Sequence, residues 1–149
     1  MDLRIGRYIV TERPFNKDPW LAWGTVNPHD PAEIASMFQE PEPLPYTLSP
    51  HERILACSEK TIEIPESFVG MIGLRSTWAR LGLMAPTTFA DPGFRGTLTM
   101  ELFNASRYGL LIQPGDAIWS MVLTCAPQEP MYQGRYQGQK GITLPKAFP

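Results

Sequence analysis

The stretch TLTMELF, residues 97–103, decides the fold of this 149-residue chain. Leu98, Met100 and Leu102 alternate with other residue types, a period of two that is typical of a strand with one buried face. Because successive side chains of a strand point to opposite faces, Glu101 must point away from the core. Taken alone, the alternation favours an ordinary solvated carboxylate at this position.

Similar strand signals extend in both directions from this stretch. Short apolar runs occur at Ile54–Cys57, Phe68–Ile72, Leu110–Ile112 and Ala117–Cys125. Sixteen Pro and twelve Gly argue against a helical bundle and favour many strands joined by turns. With 43% hydrophobic and 19% charged residues, the composition is that of a globular protein. We therefore predict one all-β domain over residues 1–149, a barrel or jelly roll with one or two short helices.

Two helical segments interrupt the predicted strands. The sequence DPAE at 30–33 has an acceptor at the cap, Pro at the first helical position and Glu three residues after the cap, so a helix should begin there and reach about Gln39. A second helical turn is predicted over Ser76–Leu81, with Gly82 as its terminator. A strand over Arg4–Val10 opens the chain.

Charge and cysteine usage limit the partners and the compartment. The formal net charge is −2 and no block of Lys or Arg stands out, so a nucleic-acid polymer is a poor candidate partner. No apolar run approaches the roughly 20 residues of a membrane span, and the first residues lack the organisation of a secretion signal. Both Cys57 and Cys125 lie in apolar runs without metal-ligand spacing, which predicts two reduced core thiols, no zinc site and a cytoplasmic location.

The segment around the second helical turn carries a possible phosphate site. Ser76 and Arg80 are four residues apart and share a face of a helix, and Arg75 precedes them. A serine and free N–H groups at a helix start, together with arginines, could bind an anion. Taken alone, these residues are better explained as ordinary surface arginines.

Two further segments carry candidate binding residues. Asp91 begins a Pro-Gly turn, and by itself is more simply a turn residue than a catalytic one. The tail offers the phenol of Tyr132, the guanidinium of Arg135 and the amide of Gln139 among glycines. Such a segment could close over a polyanionic ligand or be an ordinary mobile terminus. From residue 133 to the end it lacks an evident hydrophobic face.

Three motifs in a fixed order favour the functional interpretation of these residues over the structural one. The chain carries RSTWARLGL at 75–83, DPGFRGTLTMEL at 91–102 and GRYQGQKG at 134–141. In this order they strongly resemble the dCTP deaminase family, within the dUTPase-like superfamily. Supporting likenesses are MDLRIG at 1–6, the paired strands at 46–70 and QPGD at 113–116, so the resemblance covers nearly the whole chain.

The resemblance implies a distorted jelly-roll homotrimer with three active sites at subunit interfaces. It assigns the general base and proton shuttle to Glu101, and it assigns Ser76 and Arg80 to holding the attacking water and orienting that carboxylate. Asp91 matches the residue that holds the deoxyribose 3′-hydroxyl. In dUTPases the equivalent aspartate also positions the water that attacks phosphate.

The resemblance also implies how the triphosphate is held. Mg²⁺ would come with the nucleotide, bound through its phosphate oxygens, and the tail over residues 126–149 would close over the nucleotide. The residues matched to triphosphate contacts are Arg75, Ser76, Tyr132, Arg135 and Gln139, with Arg135 at a position where Lys is common in the family.

The sequence departs from the family pattern in three places. The N-terminal helical segment usual in these deaminases does not precede the DLRIG strand. The loop MAPTTFA at 84–90, whose counterpart reads the pyrimidine edge, is shorter by about two residues; Thr87 or Thr88 would have to take over base contacts. The tail ends in Leu-Pro-Lys at 144–146 where Ser-Arg is common.

Four functions follow from these observations. The first is hydrolytic deamination of dCTP to dUTP and ammonia by a metal-free water, since no zinc motif is present. The second is dUTP diphosphatase activity, alone or coupled to deamination, with Asp91 positioning the water. The third is a nucleotide-binding regulator without turnover. The fourth, a purely structural β-domain, is disfavoured by three motifs in the family's order.

Overall fold

The computed structural model describes residues 1–14, 24–126 and 130–149. Within these ranges the chain forms strands with two short helices, which confirms the predicted all-β class. In chain order the elements are β1 (Asp2–Thr11), α1 (Pro31–Ser36), β2 (Glu42–Pro43), β3 (Tyr46–Leu48), β4 (Arg53–Ser58), β5 (Ile62–Glu63), β6 (Phe68–Leu74), α2 (Ser76–Arg80), β7 (Leu83–Met84), β8 (Thr88–Ala90), β9 (Arg95–Gly96), β10 (Thr99–Asn104), β11 (Leu110–Ile112) and β12 (Ala117–Cys125).

One curled sheet organises the fold. Its strand order is β7-β10-β4-β1-β12-β6-β8, with β2 added alongside β1, and its pairings are antiparallel. Strand β1 joins the two halves: its first residues pair with β12, and the residues from Ile5 to Thr11 pair with β4. The register of β1 shifts in both ladders, which lets a single long strand turn from one half of the sheet into the other. Two small ladders, β11 with β3 and β5 with β9, complete the sheets.

The inner face of the sheet holds the main hydrophobic core. Leu98, Met100 and Leu102 are all at most 7% exposed, as the alternation predicts. They pack with fully buried side chains from other strands, including Ile5 and Trp119. The opposite face of β10 carries Glu101, which pairs in register with Leu55 of β4.

The outer face of β1 and β4 is also covered. Val10 and Leu55 form a second buried cluster with Ile34 and Phe38, which come from α1 and the residues after it. The Asp30 carboxylate accepts hydrogen bonds from the first helical N–H groups, as a cap does. Helix α1 ends at Ser36 rather than near Gln39, because the backbone leaves the helix there so that Phe38 can bridge to Glu12 of the strand edge.

The tail forms backbone hydrogen bonds along β9 and β10. Gly138 N–H donates to Arg95 O at 2.8 Å, and Gln139 O accepts from Thr97 N–H at 3.0 Å. Further on, the N–H of Thr143 donates to Thr99 Oγ1 at 2.9 Å. The contact at Gly96 is so close that a Cβ built there would lie 2.9 Å from Gln139 O, so glycine is required for the approach.

The tail also packs through apolar side chains. Ile142, Leu144 and Ala147 are partly buried against the second cluster, and Phe148 N–H donates to Pro28 O at 2.9 Å. The prediction that this segment has no hydrophobic face is therefore wrong. Its apolar residues are spaced irregularly between Pro and Gly, so no periodic pattern predicts that they form a buried face.

The two cysteines have different environments. Cys57 is buried on β4, and burial raises the pKa of its thiol. Cys125, at the end of β12, is exposed, so the prediction that both are core thiols is wrong for this residue. The last four positions of β12 are all exposed, because the strand continues past the residues that pair with β1.

Neither helix within the described ranges has the length and apolar character needed to cross a membrane.

The docking of the tail predicts the effect of Leu144→Asp. Burying an unpaired carboxylate against an apolar cluster is costly, so we expect the tail to open locally. Amide hydrogen exchange of the peptide covering residues 137–143, measured by mass spectrometry, should accelerate by about ten-fold or more. Leu111→Asp, the same change at a position that is 55% exposed, is the matched control. Unchanged exchange in the Leu144 variant would contradict the described docking.

Candidate active site

A cavity of about 280 Å³ lies between strands β8 and β10 and the tail. We call it the tail cavity. Its walls combine two carboxylates, two phenols, an amide and several hydroxyls with apolar side chains, a mixture typical of small-molecule sites. The lining residues are Leu55, Thr88, Phe89, Ala90, Asp91, Phe94, Leu98, Thr99, Glu101, Tyr132, Tyr136, Gln139, Thr143 and Pro145.

Glu101 is the carboxylate at the strand side of this cavity. The alternation of β10 turns it away from the core, and the tail then covers that face, so it is partly buried rather than freely solvated. Thr143 and Pro145 of the tail line the same cavity. The solvated carboxylate that the alternation alone favours is therefore not what the structure shows.

Asp91 supplies the second carboxylate from the turn after β8. Its carbonyl accepts the N–H of Phe94 at 3.0 Å, which closes the turn, while the residue stays exposed to the cavity. Tyr132 N–H donates to Pro92 O at 2.7 Å, and the ring of Tyr132 meets that of Phe94 edge to face, with centroids 5.7 Å apart. The turn and the start of the tail are thus held together at this wall.

Gln139 lies deeper, with one side-chain atom unsatisfied. Its Nε2 donates to Thr97 O at 2.6 Å, which fixes the orientation of the amide. Its Oε1 is buried and, among the described residues, has no hydrogen-bond partner. A buried acceptor of this kind is normally satisfied by a water or a ligand.

The structure therefore brings five of the sequence-predicted residues together: Thr88, Asp91, Glu101, Tyr132 and Gln139 all line the tail cavity. This placement is consistent with their predicted roles and leaves the roles themselves as predictions.

The predicted residues of helix α2 do not line this cavity. Ser76 and Arg80 are exposed on a helix whose start has no side-chain cap. Arg75 forms an ion pair with Asp2 of β1. Arg75 is half-buried, whereas Ser76 and Arg80 face solvent.

Two other predicted residues also lie outside the cavity lining. Thr87 is exposed in the loop before β8. Arg135 is exposed, with its Nη1 donating to Ala147 O and its guanidinium 5.8 Å from the centroid of the Phe148 ring. As a result, no Lys or Arg lines the tail cavity within the described chain.

Several lining residues were not predicted as site residues. Thr99 shares the outward face of β10 with Glu101, so the alternation already contained its signal. Tyr136 lies in the GRYQGQKG motif between two residues that were selected. The tail folds over β4, and this long-range contact brings Leu55, Thr143 and Pro145 to the cavity. No local sequence pattern predicts such a contact.

A second cavity lies on the other side of Glu101. We call it the Arg53 cavity; it measures about 390 Å³. Its polar side chains are the Glu101 carboxylate and the Arg53 guanidinium, and its remaining walls are apolar. The lining residues are Arg53, Met84, Ala85, Pro86, Glu101 and Phe103.

In the parts of the chain that the structure describes, no group of three or more His, Cys, Asp or Glu side chains is arranged to hold a metal ion.

Known proteins resemble this chain in sequence and in fold. The family model described as dCTP deaminase-like matches residues 1–125. The dCTP deaminase of Sulfurisphaera tokodaii is 38% identical over 98% of this chain and 75% of its own length. That of Saccharolobus solfataricus is 36% identical, with the same two shares.

The fold likeness extends to a solved structure. The 2′-deoxycytidine 5′-triphosphate deaminase from Agrobacterium tumefaciens superposes with a TM-score of 0.62 at 13% identity, over 83% of this chain and 38% of that chain. At this identity, the structural likeness establishes the shared fold. The family model covers most of the chain, and the two relatives align over nearly all of it. This chain belongs to the dCTP deaminase family.

Proposed function

We propose that this protein catalyses the hydrolytic deamination of dCTP, giving dUTP and ammonia. The observation that carries the proposal is Glu101, a carboxylate forced out of the core by its strand and enclosed by the tail of the same chain. The family relatives named dCTP deaminase support the choice of reaction. These relatives are named for a reaction of nucleotide metabolism, and on that basis we propose a cytoplasmic location.

The chemistry needs one proton carrier at the pyrimidine ring. Glu101 takes a proton from the water as the water oxygen attacks C4, and delivers it to the ring nitrogen N3. Glu101 then moves the proton of the new C4 hydroxyl group to the exocyclic amine. The C4–N bond breaks, ammonia leaves and the C4 carbonyl forms. One carboxylate can serve in both directions when a cation and a hydroxyl fix its position.

We infer that the cation and the hydroxyl come from a second copy of the chain. The tail cavity of one chain contains two carboxylates and no Lys or Arg among its lining residues, which is unsuitable for a triphosphate. Ser76 and Arg80 lie on α2 and Arg75 immediately precedes it, and none of the three lines that cavity. In a cyclic homotrimer each subunit meets the next through the same pair of surfaces. If α2 of one subunit lies at the tail cavity of the next, all three sites are completed in the same way.

The nucleotide would bring its own metal. Mg²⁺ coordinates phosphate oxygens and retains waters, so it enters as part of the Mg·dCTP substrate. In the proposed site Thr88, and Thr87 of the same loop, lie towards the base. Asp91 accepts the deoxyribose 3′-hydroxyl, and Tyr132, Arg135 and Gln139 belong to the part of the tail that holds the triphosphate. Arg135 would have to leave Ala147 to do so.

Replacing the proposed base tests this function. Glu101→Gln removes the proton carrier at nearly constant size, so ammonia release from Mg·dCTP should fall by about 10²–10⁴-fold. Nucleotide binding, measured by calorimetry, should change little. Glu66→Gln, at an exposed position outside both cavities, is the matched control and should be fully active. Undiminished ammonia release in the Glu101 variant would contradict the assignment of the base. Tight nucleotide binding without turnover in the parent protein would instead favour a nucleotide-binding regulator.

A second candidate is dUTP diphosphatase activity, alone or coupled to deamination. It is favoured by Asp91, which lines the same cavity as Glu101 and is exposed to it. If this activity exists, the parent protein should release pyrophosphate from dUTP, and Asp91→Asn should lower that rate by about 10²–10⁴-fold. Ammonia without pyrophosphate, in an assay of both products with dCTP and dUTP, would eliminate this candidate.

A further inference from the structure

We propose that the outer face of strands β12, β6 and β8 is the surface on which a second copy of this chain docks to complete the active site. The inference rests on the proposed function for the choice of partner, because the partner copy supplies the cation that the tail cavity lacks. It assigns the surface of contact, which the proposed function leaves open.

A row of large apolar side chains crosses this face. Val122 of β12 pairs in register with Met71 of β6, and Met71 pairs with Phe89 of β8. Residues directly opposite one another share a face of the sheet, so the three side chains lie next to each other. Their exposed fractions are 56%, 43% and 61%. We call these three residues the apolar row.

The core of the chain does not use the apolar row. The residues that alternate with it on the same strands are Met121, Ile72 and Ala90, which lie in the main core and are at most 4% exposed. Because side chains alternate along a strand, the apolar row points the other way, to solvent. A contiguous group of exposed apolar side chains is typical of a surface that another molecule covers.

The surface beside the apolar row is flat. Gly73 of β6 pairs with Ser120 of β12, two positions along from Met71 and Val122. A Cβ built on Gly73 would meet no atom within 4 Å, and the backbone of Gly73 is not in the positive-φ region. Nothing within the chain therefore requires glycine at this position. A glycine inside a strand often marks the close approach of another backbone, and here that backbone belongs to a neighbouring molecule.

One end of the apolar row borders the tail cavity. Phe89 belongs to both, and Asp91 follows it at the end of β8 and lines the same cavity, as does Glu101. No Lys or Arg of the described chain lines this cavity, so this border of the face is acidic. A molecule that covers the apolar row lies beside the cavity and can place a cation in it.

The chain carries the complementary charge at the other end of β6. Strand β6 leads through Arg75 into α2, whose last residue is Arg80. Arg80 is exposed and takes part in none of the ion pairs found among the described residues. Arg75 lies five positions beyond Gly70, the partner of Ala90, which is about 16 Å along the strand.

This separation favours a second copy as the occupant of the face. Within one chain the acidic border and the basic helix lie at different ends of β6. When two copies meet head to tail across the apolar row, the acidic border of one can face α2 of the other, so charge is matched on both sides of an apolar contact. Repetition of that contact around a threefold axis serves every subunit in the same way.

The test places a charge in the apolar row and measures the mass of the assembly by sedimentation velocity at about 10 µM chain. The parent should sediment as three copies of the 16.8 kDa chain. Met71→Lys and Val122→Lys should sediment as monomers, because burying an unpaired ammonium group in an apolar contact is costly. Both positions are exposed in the single chain, so circular dichroism should show an unchanged fold. Leu111→Lys, at a 55% exposed position on β11, is the matched control and should stay trimeric.

Gly73→Val is a second, uncharged variant. The added side chain has open space within its own chain, so it can clash only with a neighbouring copy. Overpacking of this kind should raise the chain concentration at which the trimer dissociates by about ten-fold or more.

Ammonia release from Mg·dCTP separates this proposal from the proposed function. The monomeric variants should lose about 10²-fold or more of the parent rate, because their tail cavities lack the cation and the hydroxyl of α2. A parent that is a monomer, or that associates only with a different protein, would overturn the docking surface, as would lysine variants that remain trimeric. Monomeric variants with full activity would overturn the claim that this surface completes the site. A trimeric parent that dissociates on these substitutions but releases no ammonia would overturn the proposed function and leave the surface assigned.

Discussion

Strand β10 separates two environments by the alternation of its side chains. Met100 and Leu102 anchor one face in the core, where they are at most 3% exposed, and this forces Glu101 onto the other face. A slip of one residue would bury the carboxylate and expose the leucine. Everything proposed for this site depends on that register, which five consecutive residue pairs between β10 and β4 define.

The outward face becomes a site because other parts of the chain cover it. The tail contributes Tyr132, Tyr136 and Gln139 and is held by backbone hydrogen bonds to β9 and β10. Leu144 packs on the second apolar cluster, which combines residues of β1 and β4 with residues of the α1 segment. Glu101 thereby borders both the tail cavity and the Arg53 cavity and is partly buried by side chains of its own chain.

Sequence reasoning reached the fold class, the cap of α1, the helical turn at α2 and the outward direction of Glu101, since each has a local pattern. It reached the grouping of Asp91, Glu101, Tyr132 and Gln139 only through ordered family motifs. It failed where distant segments meet. The packing of the tail on α1 and the exposure of Cys125 depend on which parts of the sheet are covered, and the pairing of Arg53 with Glu12 joins residues 41 positions apart.

The proposed active site is shared between two copies of the chain. Glu101→Gln and Arg80→Ala subunits, each inactive alone, can be co-expressed in equal amounts and recovered as mixed assemblies with two affinity tags. Every mixed cyclic trimer contains one pairing of three in which an intact Glu101 meets an intact Arg80 of the next subunit, so about a third of the parent activity should return. Mixed assemblies with no more ammonia release than either variant alone would contradict the shared site.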